Sequence, residues 1–303
     1  MEQKEFQYKI RTLLKERDAV LLVHYYQRGE IQDIADILGD SLALSLGAAK
    51  TDARVIVFAG VHFMAESASI ICPNKEVLLP RLDVGCPLAD MMTADQLVQA
   101  KKDHPGVPVV TYINSSADVK AHSDICCTSS NALKVVDSLE GHKTVMMAPD
   151  GNLARSVARF TDKEIIPWNG HCPVHHFLTV DEVMGVKKTH PRALFAAHPE
   201  CKADVLAVAD YVGSTGGILR FARETDATEV IIGTEMGVLY QLRKQNPGKT
   251  FIPASEKLIC RTMKLITLND IYDALREMKH VIKVPENIRI PARKALDRML
   301  AIA

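Results

Sequence analysis

Seven cysteines stand in a chain of 303 residues, and three of them, Cys86, Cys172 and Cys260, are set 86 and 88 residues apart. Thiolates are soft ligands, and three brought to one place would hold a metal ion or a cubane iron–sulfur cluster. A cubane usually takes four cysteines. Three would leave one iron without a protein ligand, open to substrate and able to act as a Lewis acid. The plain alternative is three small buried residues, since free cysteine is among the most buried residue types. Zinc is the other alternative, because His171, His175 and His176 flank Cys172 and zinc readily takes histidine. Cys72, Cys126, Cys127 and Cys201 are out of phase with these three and read as buried. Cys126 and Cys127 precede a helix, where a thiol pKa can fall, and Cys201 adjoins Glu200. An odd count without the short spacings of a secreted scaffold points to a reducing compartment.

The elements that would position the three cysteines repeat along the chain. Three apolar segments end in polar residues: VLLVHYYQ (20–27), VPVVTYINSS (107–116) and ALFAAHPE (193–200). They read as buried strands. Each leads to a helix opened by small polar residues: GDSLALSLGAA (39–49), CTSSNALKVVDSL (127–139) and GSTGGILRFARE (213–224). A second strand follows, RVIVFAG (54–60), KTVMMAPD (143–150) or EVIIGTE (229–235), and then another helix. A third strand runs toward each cysteine in EVLLPRLDVGC (76–86), EIIPWNGHC (164–172) and TFIPASEKLIC (250–260). Beyond the cysteines, Thr93, Thr179 and Thr267 stand three residues before Gln96, Glu182 and Asp270, the pattern of a capping box. His24, Tyr112 and His198 lie 88 and 86 residues apart, and Ser41, Ser129 and Ser214 lie 88 and 85 apart.

This phase agreement gives an α/β fold of three homologous β-α-β-α-β-α units. Their small parallel sheets are related by pseudo-three-fold symmetry, with the active site at the centre. The first unit takes residues 1–105 with an N-terminal helix, the second 106–190, and the third 191–303 with C-terminal helices. In parallel α/β units functional groups gather at the carboxyl ends of strands.

Those ends are polar. His24, Tyr26 and Gln27 follow the first strand, Tyr112 and Asn114 the second, His198 and Glu200 the third. One histidine at a strand end is ordinarily a structural residue; convergence from three equivalent positions favours a site. Glu200 is the candidate general base, since a carboxylate on such a wall can have a raised pKa. His24 and His198 would donate to anions or transfer protons near neutral pH, and Tyr26 and Tyr112 offer phenolic donors. Ser41, then Thr128, Ser129 and Ser130, then Ser214 and Thr215, open helices. They are either simple N-caps or donors to a substrate with two or more negative charges.

Lys plus Arg and Asp plus Glu both total 37, so no basic field draws nucleic acid or an anionic membrane. Aromatics are 5% of residues, too few to favour base-stacking surfaces. Apolar runs fall short of the about 20 residues of a membrane span. MEQKEFQYKIRTLLKER reads as a charged amphipathic helix rather than a secretory signal. The expectation is a cytoplasmic enzyme with small-molecule partners. Its rivals are another cluster-dependent hydro-lyase acting on a polycarboxylate, and a non-catalytic iron–sulfur or zinc sensor.

The motifs HYYQ (24–27), GDS (39–41), GCPLAD (85–90), YINSSADVKA (112–121), TSSNA (128–132), APDGNLA (148–154), GHCPVH (170–175), HPEC (198–201), GST (213–215), GTEMG (233–237) and CRTMK (260–264) resemble, in order and spacing, the quinolinate synthase family. The likeness covers essentially the whole chain. It implies condensation of iminoaspartate with dihydroxyacetone phosphate to quinolinate in NAD biosynthesis, with loss of phosphate and two waters. It also implies a [4Fe–4S] cluster, whose ligands fall by motif position on Cys86, Cys172 and Cys260, and an enzyme that supplies iminoaspartate as a partner. The family's active-site residues fall on His24, Tyr26, Ser41, Tyr112, Asn114, Ser129, His198, Glu200, Ser214 and Thr215. Two positions depart: Gly216 stands where the family often has serine, so a backbone contact would replace a hydroxyl, and Arg261 stands where proline is common.

Overall fold

The computed structural model describes residues 3–302. Among these the chain forms twelve strands: β1 (Ala19–His24), β2 (Ile37–Gly39), β3 (Val55–Ala59), β4 (Glu76–Leu78), β5 (Val109–Tyr112), β6 (Ile125–Cys127), β7 (Thr144–Ala148), β8 (Glu164–Pro167), β9 (Leu194–Ala197), β10 (Tyr211–Val212), β11 (Glu229–Gly233) and β12 (Thr250–Pro253). They sort into three sheets ordered β2-β1-β3-β4, β6-β5-β7-β8 and β10-β9-β11-β12, one order used three times. Every pairing within the sheets is parallel. Helices cover the faces of such sheets, so their central strands read as unbroken apolar runs; Leu21, Leu22 and Val23 of β1 are fully buried.

Each unit thus has four strands rather than the three read from the sequence. The extra strand (β2, β6 or β10) lies at a sheet edge and is two or three residues long, too short to show any periodicity. Cys126 and Cys127 belong to β6 rather than to a helix approach, and burial pushes both thiols up, that of Cys126 to about 12. Cys72 and Cys201 are buried as expected.

Polar ties repeat with the strands. Asp36, Asp124 and Asp210 accept the backbone N–H groups of Leu21 (2.8 Å), Val109 (2.8 Å) and Phe195 (2.7 Å). Each meets a base from the helix that leads into β1, β5 or β9: Arg11 at 2.6 Å, Lys101 at 3.0 Å and Lys187 at 3.0 Å. Lys75, Lys163 and Lys249 stitch carbonyls at helix ends, donating to Ala53 (2.9 Å), to Leu139 (2.8 Å) and His142 (2.7 Å), and to Ala222 (2.8 Å). All three capping boxes form with both bonds, at Thr93, Thr179 and Thr267.

The chain closes on itself. The helix Leu268–Glu277 packs against the N-terminal helix Gln3–Glu16, where the rings of Phe6 and Tyr272 lie 5.3 Å apart. Backbone pairing of Leu79 with His280 (3.1 Å) and Ile282 with Val77 (2.8 Å) covers the edge at β4. The last helix, Glu286–Leu300, lies on β6 and on the helix Ala117–Ala121, with Arg298 donating to the Asp124 carbonyl at 2.7 Å. One apolar cluster therefore runs through the first two units and the C-terminal helices, while two others pack the third unit. No helix among the described residues is long and apolar enough to cross a membrane.

Because Leu21, Val109 and Phe195 are fully buried, Asp36→Ala, Asp124→Ala and Asp210→Ala each strand a strand N–H. Each is expected to cost about 1–3 kcal/mol, with similar losses in all three units, read from urea unfolding midpoints. A loss at one site alone would show that the ties are not equivalent.

Candidate active site

The carboxyl ends of the three sheets face one small cavity of about 70 Å³. His24, Tyr26, Ser41, Cys86, Tyr112, Asn114, Ser129, Cys172, His198, Glu200, Thr215 and Cys260 all line it. Val61, Phe63, Met64, Val174 and Met263 supply apolar wall. Tyr26, Asn114 and Glu200 stand two residues beyond His24, Tyr112 and His198, so one position of the repeat carries a phenol, an amide and a carboxylate.

Ser214 is the exception. Its hydroxyl accepts from the Gly217 N–H (3.1 Å) as a helix cap, and it faces the outside of the cavity wall. The helix Ser41–Lys50 is capped instead by Asp40, which accepts from the Ala43 N–H at 3.1 Å. Simple capping therefore accounts for Ser214 but not for Ser41, which stands inside the helix and faces the cavity. Gln27 is fully buried outside the cavity lining, its amide against the Met263 sulfur at 3.7 Å.

A hydrogen-bonded chain crosses the cavity wall. The Tyr26 hydroxyl bonds Thr215 and Thr234, both at 2.8 Å, and Thr234 meets His175 Nε2 at 2.9 Å. His175 Nδ1 lies 2.6 Å from Glu200 Oε2 and 3.3 Å from Cys172 Sγ. His198 stacks on His175 with ring centroids 4.5 Å apart, and its Nδ1 lies 3.5 Å from the same carboxylate oxygen. His24 packs edge-on against Tyr26 at 4.5 Å. Glu200 Oε1 and Asn114 Oδ1 are buried and find no partner among the described residues, leaving two acceptors for a ligand.

Burial sets the electrostatics. It brings His24 down to about 4, against the opposing pull of Asp40, and His198 down to about 3, against Glu200. Both shifts favour the neutral ring at pH 7, in place of the near-neutral titration expected from the sequence. Glu200 is corrected too. Burial works to raise its pKa, but His198 and His175 outweigh that and hold it down to about 2. Burial and then Glu200 push Tyr26 and Tyr112 well above the usual phenol value.

Burial likewise raises the thiols of Cys86 (to about 12), Cys172 and Cys260. Cys86 also feels the charge of Cys260, and Cys172 that of Cys86, as expected of neighbours. None of the three is in a disulfide. Three thiols that cannot readily ionise together, converging from three units, suit a cationic metal centre that would take them as thiolates. The donor set fits a metal cofactor.

Further residues contribute. Cys-Pro-x-His puts His175, expected from the sequence only as a zinc ligand, one helical turn after Cys172 in the helix Pro173–His176. Asp150 and Glu235 stand two residues past β7 and β11. Asp150 accepts from the Cys172 N–H (3.0 Å) and Glu235 from the Cys260 N–H (3.1 Å); the matching place after β3 is Val61. Glu235 is fully buried and pairs with Lys264 at 2.9 Å, whose ammonium also reaches the Tyr26 carbonyl. Asn152 donates to the Glu200 carbonyl at 2.9 Å.

Comparison with known proteins decides the family. The family described as "Quinolinate synthetase A protein" matches residues 8–301. A "Quinolinate synthase" of Geotalea uraniireducens is 59% identical over 302 residues, covering 100% of this chain and 99% of the relative. "Quinolinate synthase 1" of Methanosarcina acetivorans is 52% identical over 302 residues, with 100% and 99% covered. The chain belongs to the quinolinate synthase family. As a quinolinate synthase family member it is an enzyme, and its two departures from the family pattern have local explanations. The Gly216 N–H bonds Asp40 Oδ2 at 3.3 Å, and a Cβ there would stand 2.8 Å from that oxygen. The turn after Cys260 forms without proline, through Lys264 N–H bonds to the Cys260 (3.3 Å) and Arg261 (3.1 Å) carbonyls.

Asp150→Ala and Glu235→Ala free the backbone of Cys172 and Cys260 without removing a thiol. Each is expected to speed metal loss to a chelator by about 10–100-fold. Retention equal to wild type would show that these carboxylates do not support the cysteines.

Proposed function

We propose that this enzyme condenses iminoaspartate with dihydroxyacetone phosphate to give quinolinate, releasing phosphate and two waters. The observation that carries the reading is one cavity lined at once by a cysteine from each of three repeats, the carboxyl of Glu200 and hydroxyls from three helix starts. Cys86, Cys172 and Cys260 would hold a [4Fe–4S] cluster, which when bound supplies an open iron as Lewis acid. Ser41, Ser129, Thr215 and Asn114 donate to the substrate carboxylates and phosphate. Ser214 contributes by fixing the helix start that carries Thr215. Glu200, whose carboxylate is held by His175 at 2.6 Å, takes protons during enolisation and dehydration. Tyr26 relays them along its bonds to Thr215 and Thr234, with His24 and His198 as neutral imidazoles beside the path.

The repeat units 1–105, 106–190 and 191–303 are the proposed evolutionary and structural modules. Iminoaspartate is an imine prone to hydrolysis, so a partner enzyme that delivers it fits this reading, as does a cytoplasmic setting with reduced thiols.

A second reading rests on one measurement. Ligand atoms of Cys172, His175 and Glu200 all lie within 4.8 Å of one another, a geometry open to a single divalent ion such as zinc. Colour separates the two: a zinc protein is colourless, whereas a cluster protein purified without oxygen is brown.

The test is anaerobic quinolinate formation with iron and sulfide analysis. Cys86→Ala, Cys172→Ala and Cys260→Ala should each lose iron and activity; full iron loading in all three would refute the ligand set. A brown wild type that makes no quinolinate would favour another hydro-lyase. Glu200→Gln should lower kcat by about 10²–10⁴-fold with cluster absorbance kept. Unchanged turnover would remove Glu200 as the base.

A further inference from the structure

A second, more open chamber, of about 570 Å³, lies against the central cavity and shares Asp40, Ser129 and Ser130 with it. The grooves near His62 and near Tyr240 share none of the cavity's residues. Each unit lends this chamber one helix from its serine cluster, represented by Leu46, Lys134 and Arg220. Lys134 and Arg220 make no ion pair or side-chain hydrogen bond among the described residues. Asp40 is the sole carboxylate of the lining. In a chain with no net charge, two unpaired cations over one carboxylate make a local positive field.

Asp40 stands where the two chambers meet. Its Oδ2 accepts from Ser130 Oγ of the second unit at 3.0 Å and from the Gly216 N–H of the third at 3.3 Å. A hydroxyl and a bare glycine amide aimed at one oxygen are what an anion oxygen would recruit. Asp40 occupies that place as an internal anion.

We propose that the outer chamber is a capture site for phosphate-bearing and dicarboxylate anions. Lys134 and Arg220 draw the anion in, and it displaces Asp40 from Ser130 and Gly216 before passing to the central cavity. The proposal rests on reading the substrates as anions, and it adds an outer site, its ligand class and a latch.

The test uses the cluster-loaded enzyme prepared without oxygen. Inorganic phosphate is the probe, followed by phosphorus NMR titration. A Lys134→Ala/Arg220→Ala double variant should bind phosphate about 10-fold more weakly and lose a similar factor in kcat/KM for dihydroxyacetone phosphate. Raising salt from about 0.05 to about 0.3 M should depress wild-type kcat/KM and leave the double variant flat. Asp40→Asn should tighten phosphate binding by removing the competing charge. Unchanged phosphate affinity in the double variant overturns the capture site; unchanged or weaker affinity in Asp40→Asn overturns the latch. A wild type that makes no quinolinate yet binds phosphate through Lys134 and Arg220 overturns the assigned reaction and leaves the capture site standing.

Discussion

Parallel strands put all their carboxyl ends on one edge of a sheet, and with those ends go the residues that cannot be buried in its middle. Here three such sheets share one strand order and turn those edges toward a common centre, so every polar strand end competes for one small volume. That constraint shapes the rest of the structure. Thiols, imidazoles, phenols and a carboxylate are all withdrawn from water together. The state of each is set by the others: burial works to raise the pKa of Glu200 while His198, His175 and a hydrogen bond from Tyr112 hold it down, and burial and neighbouring charges raise the thiols.

The repeat divides its labour between framework and chemistry. Away from the cavity the three units keep the same devices: the aspartates at 36, 124 and 210, the lysines at 75, 163 and 249, and the threonine capping boxes. Each answers a backbone demand identical in every copy, so the residue type stays the same. At the cavity the copies diverge. Tyr26, Asn114 and Glu200 share one position, as do Val61, Asp150 and Glu235. The cavity is a single place, and three identical carboxylates there would repel one another.

What could be read from the sequence follows the same division. Strand ends, serine clusters and cysteines recur in phase, so the three-unit α/β plan and the residues that meet at its centre were legible. The edge strands were not, because two or three residues carry no period. Ser214 was misplaced because a capping serine and an anion-binding serine look alike until the partner N–H, here that of Gly217, is seen. Asp150 and Lys264 act through partners distant along the chain or through main-chain groups, which leave no local pattern, whereas His175 had one in Cys-Pro-x-His. The pKa of Glu200 was misjudged because a carboxylate's environment depends on how many imidazoles reach it, a count that only three dimensions supply.

The ring is closed partly by the residues that line its centre. Ser130 of the second unit meets Asp40 of the first, Asn152 of the second holds the Glu200 carbonyl of the third, and Thr215, Thr234 and Lys264 of the third hold Tyr26 of the first. The main apolar cluster joins the first two units to the C-terminal helices of the third, and a second joins Leu178 and Val183 of the second unit to the third. Polar contacts at the cavity add to these apolar seams. Side chains that serve assembly and chemistry at once cannot be optimised for stability alone. Buried polar atoms such as Glu200 Oε1 and Asn114 Oδ1 accordingly find no close partner among the described residues, where apolar packing would have been the more stable choice.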